Sequence, residues 1–245
     1  MNIRRTLATT WRVLLQLRRD LRTLTLLLVV PAVLVTVLRF VFADQPQLFD
    51  REAPALLAVF PFISMFLVTS IATLRERASG TLERLLAMPV GKLDLLVGYL
   101  AGFALVAAAQ ASLASAVALW GLGLDVRGGP GLVIGIAVLD ALLGTALGLF
   151  SSAFAATEFQ AVQLLPAVVF PQILLSGLFI DRAQMVTVLR YASDLMPLTY
   201  AVEGMARVVA HPGWPAGLGV DLFGLTASIV MAVLLGAATL RRQTP

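Results

Sequence analysis

Arg75-Glu76-Arg77-Ala78-Ser79-Gly80-Thr81-Leu82-Glu83-Arg84-Leu85-Leu86-Ala87-Met88-Pro89-Val90-Gly91-Lys92 is the densest block of charge in a chain that is otherwise mostly apolar. Uncharged runs flank it, Ala53–Leu74 before and Leu95–Leu124 after. A membrane span needs about 20 apolar residues, so both runs are long enough to cross. The block between them must then sit in water at a membrane surface. Gly80 breaks the incoming helix. Thr81 is placed to cap a new one, with Glu83 in its first turn, where a negative charge suits the helix dipole. Leu82, Leu85 and Leu86 share a face at i, i+3, i+4 spacing, and Pro89 stops the helix. The expected element, Thr81–Met88, is an amphipathic helix of two turns, about 12 Å long. A helix that short is marginal alone and needs a surface to dock on.

Composition points the same way. Of 245 residues, 59% are hydrophobic and 13% charged, against about 25% charged in soluble domains. There is no cysteine and a single histidine, His211, so disulfides, thiol chemistry and a zinc cluster are not expected. The net charge of +4 comes from cations beside the apolar runs, which topology explains better than nucleic acid does. No G-x-x-x-x-G-K-[ST] loop occurs in these residues, so no nucleotide site of that kind is expected on this chain.

Six spans are expected, near residues 24–42, 53–74, 95–124, 131–157, 159–180 and 222–240. Ahead of them, residues 1–22 alternate arginines with Ile3, Leu7, Trp11, Leu14, Leu17 and Leu21, the pattern of an amphipathic helix lying in the membrane interface. The fold class is therefore an all-α integral membrane protein: an interfacial helix over 1–22 and a six-span domain over 23–245. Alternate loops divide the cations unevenly. Twelve fall on the side of the N-terminus, the 75–92 loop and the tail, and six on the other. The positive-inside rule puts both termini and that loop in the cytoplasm. The segment 181–219 is then external. It holds a helix beginning at Pro197, too short and too charged to cross and hence re-entrant or interfacial, with Glu203 and Arg207 at pairing distance along it.

The 75–92 block resembles the cytoplasmic loop of the type-2 ABC transporter permeases, where an E-R-x-x-G-T-L-E-R-L-L-x-x-P-like run follows the second span; here that run is Glu76, Arg77, Gly80, Thr81, Leu82, Glu83, Arg84, Leu85, Leu86 and Pro89. Two later runs also resemble that family. One is F-P-x-x-x-L-S-G in the fifth span, here Phe170, Pro171, Leu175, Ser176 and Gly177. The other begins P-L-T-Y and carries Pro197, Tyr200, Glu203 and Arg207. The resemblance implies a permease of an ATP-driven exporter in a bacterial inner membrane. It implies that the short helix couples to a separate ATPase present in two copies, which carries ATP and Mg, and that a second permease subunit completes a homo- or heterodimer. The cargo expected from so apolar an interior is amphipathic or lipid-like, drugs included.

Inside the spans, Asp140, Gln110, Gln163 and Gln172 are the candidates for a translocation path, since intramembrane polar groups are costly. The plainer expectation for the glutamines is inter-helix hydrogen bonding. For Asp140 it is a carboxylate near the outer end of its span, solvated or bonded to a neighbour. A stand-alone secondary transporter or channel is the alternative reading; it calls for several ionisable groups at the midplane and an inverted repeat, and only one such acid and no repeat are present.

Overall fold

A computed structural model of the chain describes residues 3–81 and 91–239. Among these residues the elements are all helical. Six helices are long and apolar enough to cross a membrane, as the hydropathy pattern requires.

The chain starts with α1, Ile3–Arg19. Asp20 interrupts it and caps α2, Leu21–Val41, by accepting from the Thr23 amide. Helix α3, Pro46–Ala78, has 33 residues and is about 50 Å long, against a hydrocarbon layer of about 30 Å. It therefore overhangs the apolar layer and carries Arg75, Glu76 and Arg77 out of one end. Helix α4, Lys92–Ala116, runs back and closes in a π-helical turn, Val117–Gly121. Helix α5 is Pro130–Ser151 and α6 is Glu158–Leu175. Two short helices follow, α7 at Thr187–Asp194 and α8 at Pro197–Ala210, before α9, Leu218–Thr239. The end of the bundle that bears α1 and the last turn of α3 is called the near end below, and the other the far end.

Helices α3 and α5 form the centre. More than half of each is buried, while α2, α6 and α9 lie on the outside with under a quarter buried. Glycines set the central contact. Gly144 and Gly148 of α5 lie directly against the backbone of Phe62 and Phe66 of α3, where a methyl group would collide with main-chain atoms. Small residues four apart let two apolar helices approach closely enough for dispersion to hold them where no hydrophobic effect operates. The same spacing recurs at Gly98 and Gly102 of α4, which receive Thr9 and Val13 of α1.

Three expectations need correcting. Thr6, Thr9, Val13 and Leu17 are the buried face of α1, packed on the protein, while Ile3, Leu7 and Trp11 stay exposed. The apolar repeat thus coincides with the buried face only in part, because Gly98 and Gly102 of α4 receive Thr9 and Val13. The fifth span ends at Leu175, not near 180: the chain turns at Gly177, whose φ of +93° only glycine adopts without strain. Helix α3 begins at Pro46, seven residues ahead of the expected span, and carries Asp50, Arg51 and Glu52 on this extension, while the uncharged run 53–74 lies within the helix. At the near end, Gly80 does end α3, with φ of +70°. Thr81 is already helical, its hydroxyl 2.9 Å from Ser79 Oγ, one place further in than a cap. Leu82, Glu83, Arg84, Leu85, Leu86 and Pro89 lie outside the described residues.

Candidate coupling site and translocation path

The last turn of α3, immediately before the leucine-rich segment, is bonded to four other helices. Arg12 of α1 donates to both oxygens of Glu76, at 3.2 and 2.9 Å, and to the hydroxyl of Tyr99 on α4 at 2.5 Å. Tyr99 in turn donates to Glu76. The Arg12 guanidinium also stacks over the Tyr99 ring, 5.3 Å from its centroid. Arg75 grips Glu158, the first residue of α6, through two bonds of 2.7 and 3.0 Å. Arg77 donates to the carbonyl of Ser152, just past the end of α5, at 2.5 Å. That carbonyl is among those a helix end leaves without an intrahelical partner. Two forked arginine–carboxylate pairs and a capped helix end thus meet at residues 75–77. Fork-to-fork pairs fix direction as well as distance, so a push on this turn reaches α1, α4, α5 and α6 together.

Sequence reasoning singled out Glu76 and Arg77 but not the residues that hold them. Arg12, Tyr99 and Glu158 are 64, 23 and 83 positions from the residues they bind, counting along the chain. No local pattern announces such pairs. One signal was available: Gly98-x-x-x-Gly102 marks where α1 must lie on α4, and Tyr99 sits inside it.

The four polar residues of the spans have different surroundings. Gln110 donates from α4 to the Leu27 carbonyl of α2 at 2.8 Å. Gln172 donates to Val168 within α6 and accepts the Leu198 amide of α8 at 3.3 Å, satisfying one orphan donor at the start of that helix. Each makes one inter-helix bond, while the buried Gln110 Oε1 has no hydrogen-bond partner. Gln163 is exposed on the outer face of α6, beside Val162 and in line with Phe159 and Phe170, which are also exposed. Asp140 lies ten residues from Pro130 and eleven from Ser151, at mid-helix rather than near an end. It is fully buried, and neither carboxylate oxygen has a hydrogen-bond partner. This overturns the expectation of a solvated or bonded carboxylate near the outer end of the span.

At the far end Glu203 and Arg207 do pair, at 3.0 Å, but not alone on an open face. Arg182 joins Glu203 at 2.5 Å and also pairs with Asp194, and Arg207 reaches Asp221 of α9 at 3.2 Å. Burial disfavours the charge on Arg182, but Glu203 and Asp194 outweigh it and hold the guanidinium above its ordinary pKa. Tyr200 donates to the Asp194 carbonyl at 2.7 Å, and its ring lies against Gly224 of α9. Pro197 opens α8 at its first position, where its missing N–H costs nothing. This network ties the 182 turn, α7, α8 and α9 into one far-end block.

The ABC-2 type transporter family model matches residues 4–209. The chain belongs to that family. Similar curated proteins include the probable multidrug ABC transporter permease YbhS of Escherichia coli, 29% identical over 168 residues, covering 68% of this chain and 45% of that protein. The probable multidrug ABC transporter permease YbhR of the same species is 26% identical over 171 residues, covering 66% and 46%. ABC transporter G family member 20 of Dictyostelium discoideum is 26% identical over 160 residues, covering 65% and 22%. The chain spans about half the length, or less, of these relatives. Six spans and this family make it a multi-pass membrane protein.

Proposed function

We propose that this chain is the permease subunit of an ATP-driven exporter, which moves an amphipathic or lipid-like substrate or drug outward across a bacterial inner membrane. The observation that carries the reading is the last turn of α3: Arg75, Glu76 and Arg77 bond it to α1, α4, α5 and α6 directly ahead of the leucine-rich segment. Such a junction converts a force on residues 82–89 into movement of the whole near end. In this reading the near end and both termini are cytoplasmic, in keeping with the cation asymmetry. The segment 82–89 docks on a separate ATPase, which binds ATP and Mg. Two permease subunits and two ATPases make the assembly. The exposed stripe of α6 with Gln163 faces the partner permease, because a lone amide is costly against lipid tails. Two of the bacterial relatives are named as probable multidrug permeases, which supports a drug-like cargo.

The test is to change Leu82 and Leu85 together to Asp and purify the complex from membranes. Burying one leucine contributes about 1.5–3 kcal/mol, so docking should weaken by well over about tenfold. The ATPase should no longer co-purify although the six spans insert. An ATPase that still binds and still responds to substrate would overturn the reading.

A further inference from the structure

Between α1, α2, α3 and α4 at the near end lies a cleft of about 310 Å³, at the small end of the range of about 300–1,000 Å³ typical of ligand pockets. Val68, Ile71 and Phe103 line its apolar part, deeper along α3 and α4, while Gln16, Asp20 and Arg75 line its mouth. The charged residues from Arg12 to Arg22, taken with Arg75, Glu76 and Glu158, are five arginines and three carboxylates. Two of the arginines are committed, Arg12 to Glu76 and Arg75 to Glu158. Asp20 caps α2, accepting from the hydroxyl and the amide of Thr23. These bonds, the hydroxyl first, hold its carboxyl below its ordinary pKa, and Arg75 and Arg22 act in the same direction at longer range. Arg18, Arg19 and Arg22 remain, exposed and in no ion pair or hydrogen bond among the described residues. Against Asp20 alone they leave the α1–α2 junction with an excess of positive charge. Arg77, turned to the Ser152 carbonyl, adds to that sign. The junction also meets lipid tails. Arg18 stands seven residues beyond Trp11, on the helix face that carries Leu7, and Leu7, Trp11, Leu21 and Leu26 are all exposed.

We propose that the cleft is a site for an anionic phospholipid of the surrounding bilayer, its phosphate held by Arg18, Arg19 and Arg22 and one acyl chain lying between Val68, Ile71 and Phe103. Basic pockets between membrane spans receive anionic lipid headgroups, and arginine suits a phosphate because its fork can give two parallel N–H bonds. A zwitterionic head brings an ammonium of its own, which the excess of arginine opposes. A soluble phosphate has no chain to lay against the apolar wall. The bound lipid would join α1 to α2 and α3 beside the Arg12–Glu76 pair. The proposal goes beyond the exporter reading and stands without it, since binding needs the bilayer but neither ATPase nor transport.

The full chain in dodecyl maltoside is titrated with phosphatidylglycerol and with phosphatidylcholine of the same acyl chains, and bound lipid is counted by native mass spectrometry. The first phosphatidylglycerol should bind at least about tenfold more tightly than the first phosphatidylcholine. Arg18→Gln, Arg19→Gln and Arg22→Gln together should erase that preference while leaving the melting temperature in lipid-free detergent unchanged. Arg241→Gln with Arg242→Gln, the same change in the tail, should leave the preference intact, which separates a site from the general attraction of a basic surface. Asp20→Asn keeps the helix cap, since Asn caps as well as Asp, and should strengthen phosphatidylglycerol binding by removing the carboxylate nearest the phosphate. Ala72→Phe, which fills the cleft, should weaken it by at least about tenfold with all three arginines present; Ala72→Leu takes its place if Phe lowers the lipid-free melting temperature. Equal affinity for the two lipids, equal loss in the tail variant, or a preference that survives either the three arginine changes or the filled cleft overturns the proposal. Glycerol phosphate that competes as well as the lipid assigns the arginines to a soluble anion and overturns it too. Failure of the ATPase to co-purify would count against the exporter reading and leave this result standing.

Discussion

The Arg12 guanidinium and the Glu76 carboxylate meet fork to fork, at 3.2 and 2.9 Å, and join the amphipathic N-terminal helix to the last turn of α3. Their side chains are 28% and 12% exposed, so solvent screens the pair only in part. Glu76 also receives the Tyr99 hydroxyl. Three helices are therefore fixed to one another at the point where the chain leaves the membrane. The pair is thereby placed to transmit motion as well as to stabilise the bundle.

Arg12→Ala and Glu76→Gln should each leave insertion intact while reducing the substrate-stimulated ATPase activity of the assembled complex. A partly exposed ion pair of this kind contributes about 1 kcal/mol. The exchanged pair Arg12→Glu with Glu76→Arg should recover part of the stimulation, and a double-mutant cycle measures the coupling. Independent, additive effects would show that the two residues do not act together.

Gly144→Leu should be among the most damaging single changes in the bundle. Any Cβ there meets the Phe62 carbonyl, which is main chain and cannot rotate away. Overpacking of this kind costs about 1–3 kcal/mol or more. The melting temperature in detergent should fall, and Gly135→Leu, where nothing lies within 4 Å of the added carbon, serves as the control that should not.

Asp140→Leu should raise the melting temperature and lower transport. The carboxylate is fully buried without a partner, and replacing an unsatisfied polar group by an apolar one removes its desolvation cost. Cost retained in a membrane core is commonly retained for function. Unchanged transport with higher stability would make Asp140 a structural liability only.

Cysteines placed at Ser79 and Ala183 in this cysteine-free chain should react with an impermeant thiol reagent from opposite sides of the membrane. Both positions are exposed, at the near and far ends respectively. Labelling of both from outside would refute the proposed orientation.

Much of this protein was legible without coordinates. Span number follows from the length of uncharged runs, because lipid tails accept no unpaired backbone and little charge. The break at Gly80 and the helix after Pro197 follow from local backbone chemistry, which a few neighbouring residues decide. What the tertiary structure alone decided is which faces meet. Hydropathy does not distinguish a lipid-facing leucine from a packed one, so the central place of α3 and α5 and the protein-facing threonines of α1 were not visible in the apolar pattern. Gln110 and Gln172 became inter-helix bonds, and Asp140 a sealed mid-helix acid, only once their neighbours were placed. The pairs Arg12–Glu76 and Arg75–Glu158 join residues more than 60 positions apart; such contacts depend on how the helices pack, and packing in lipid is set by shape.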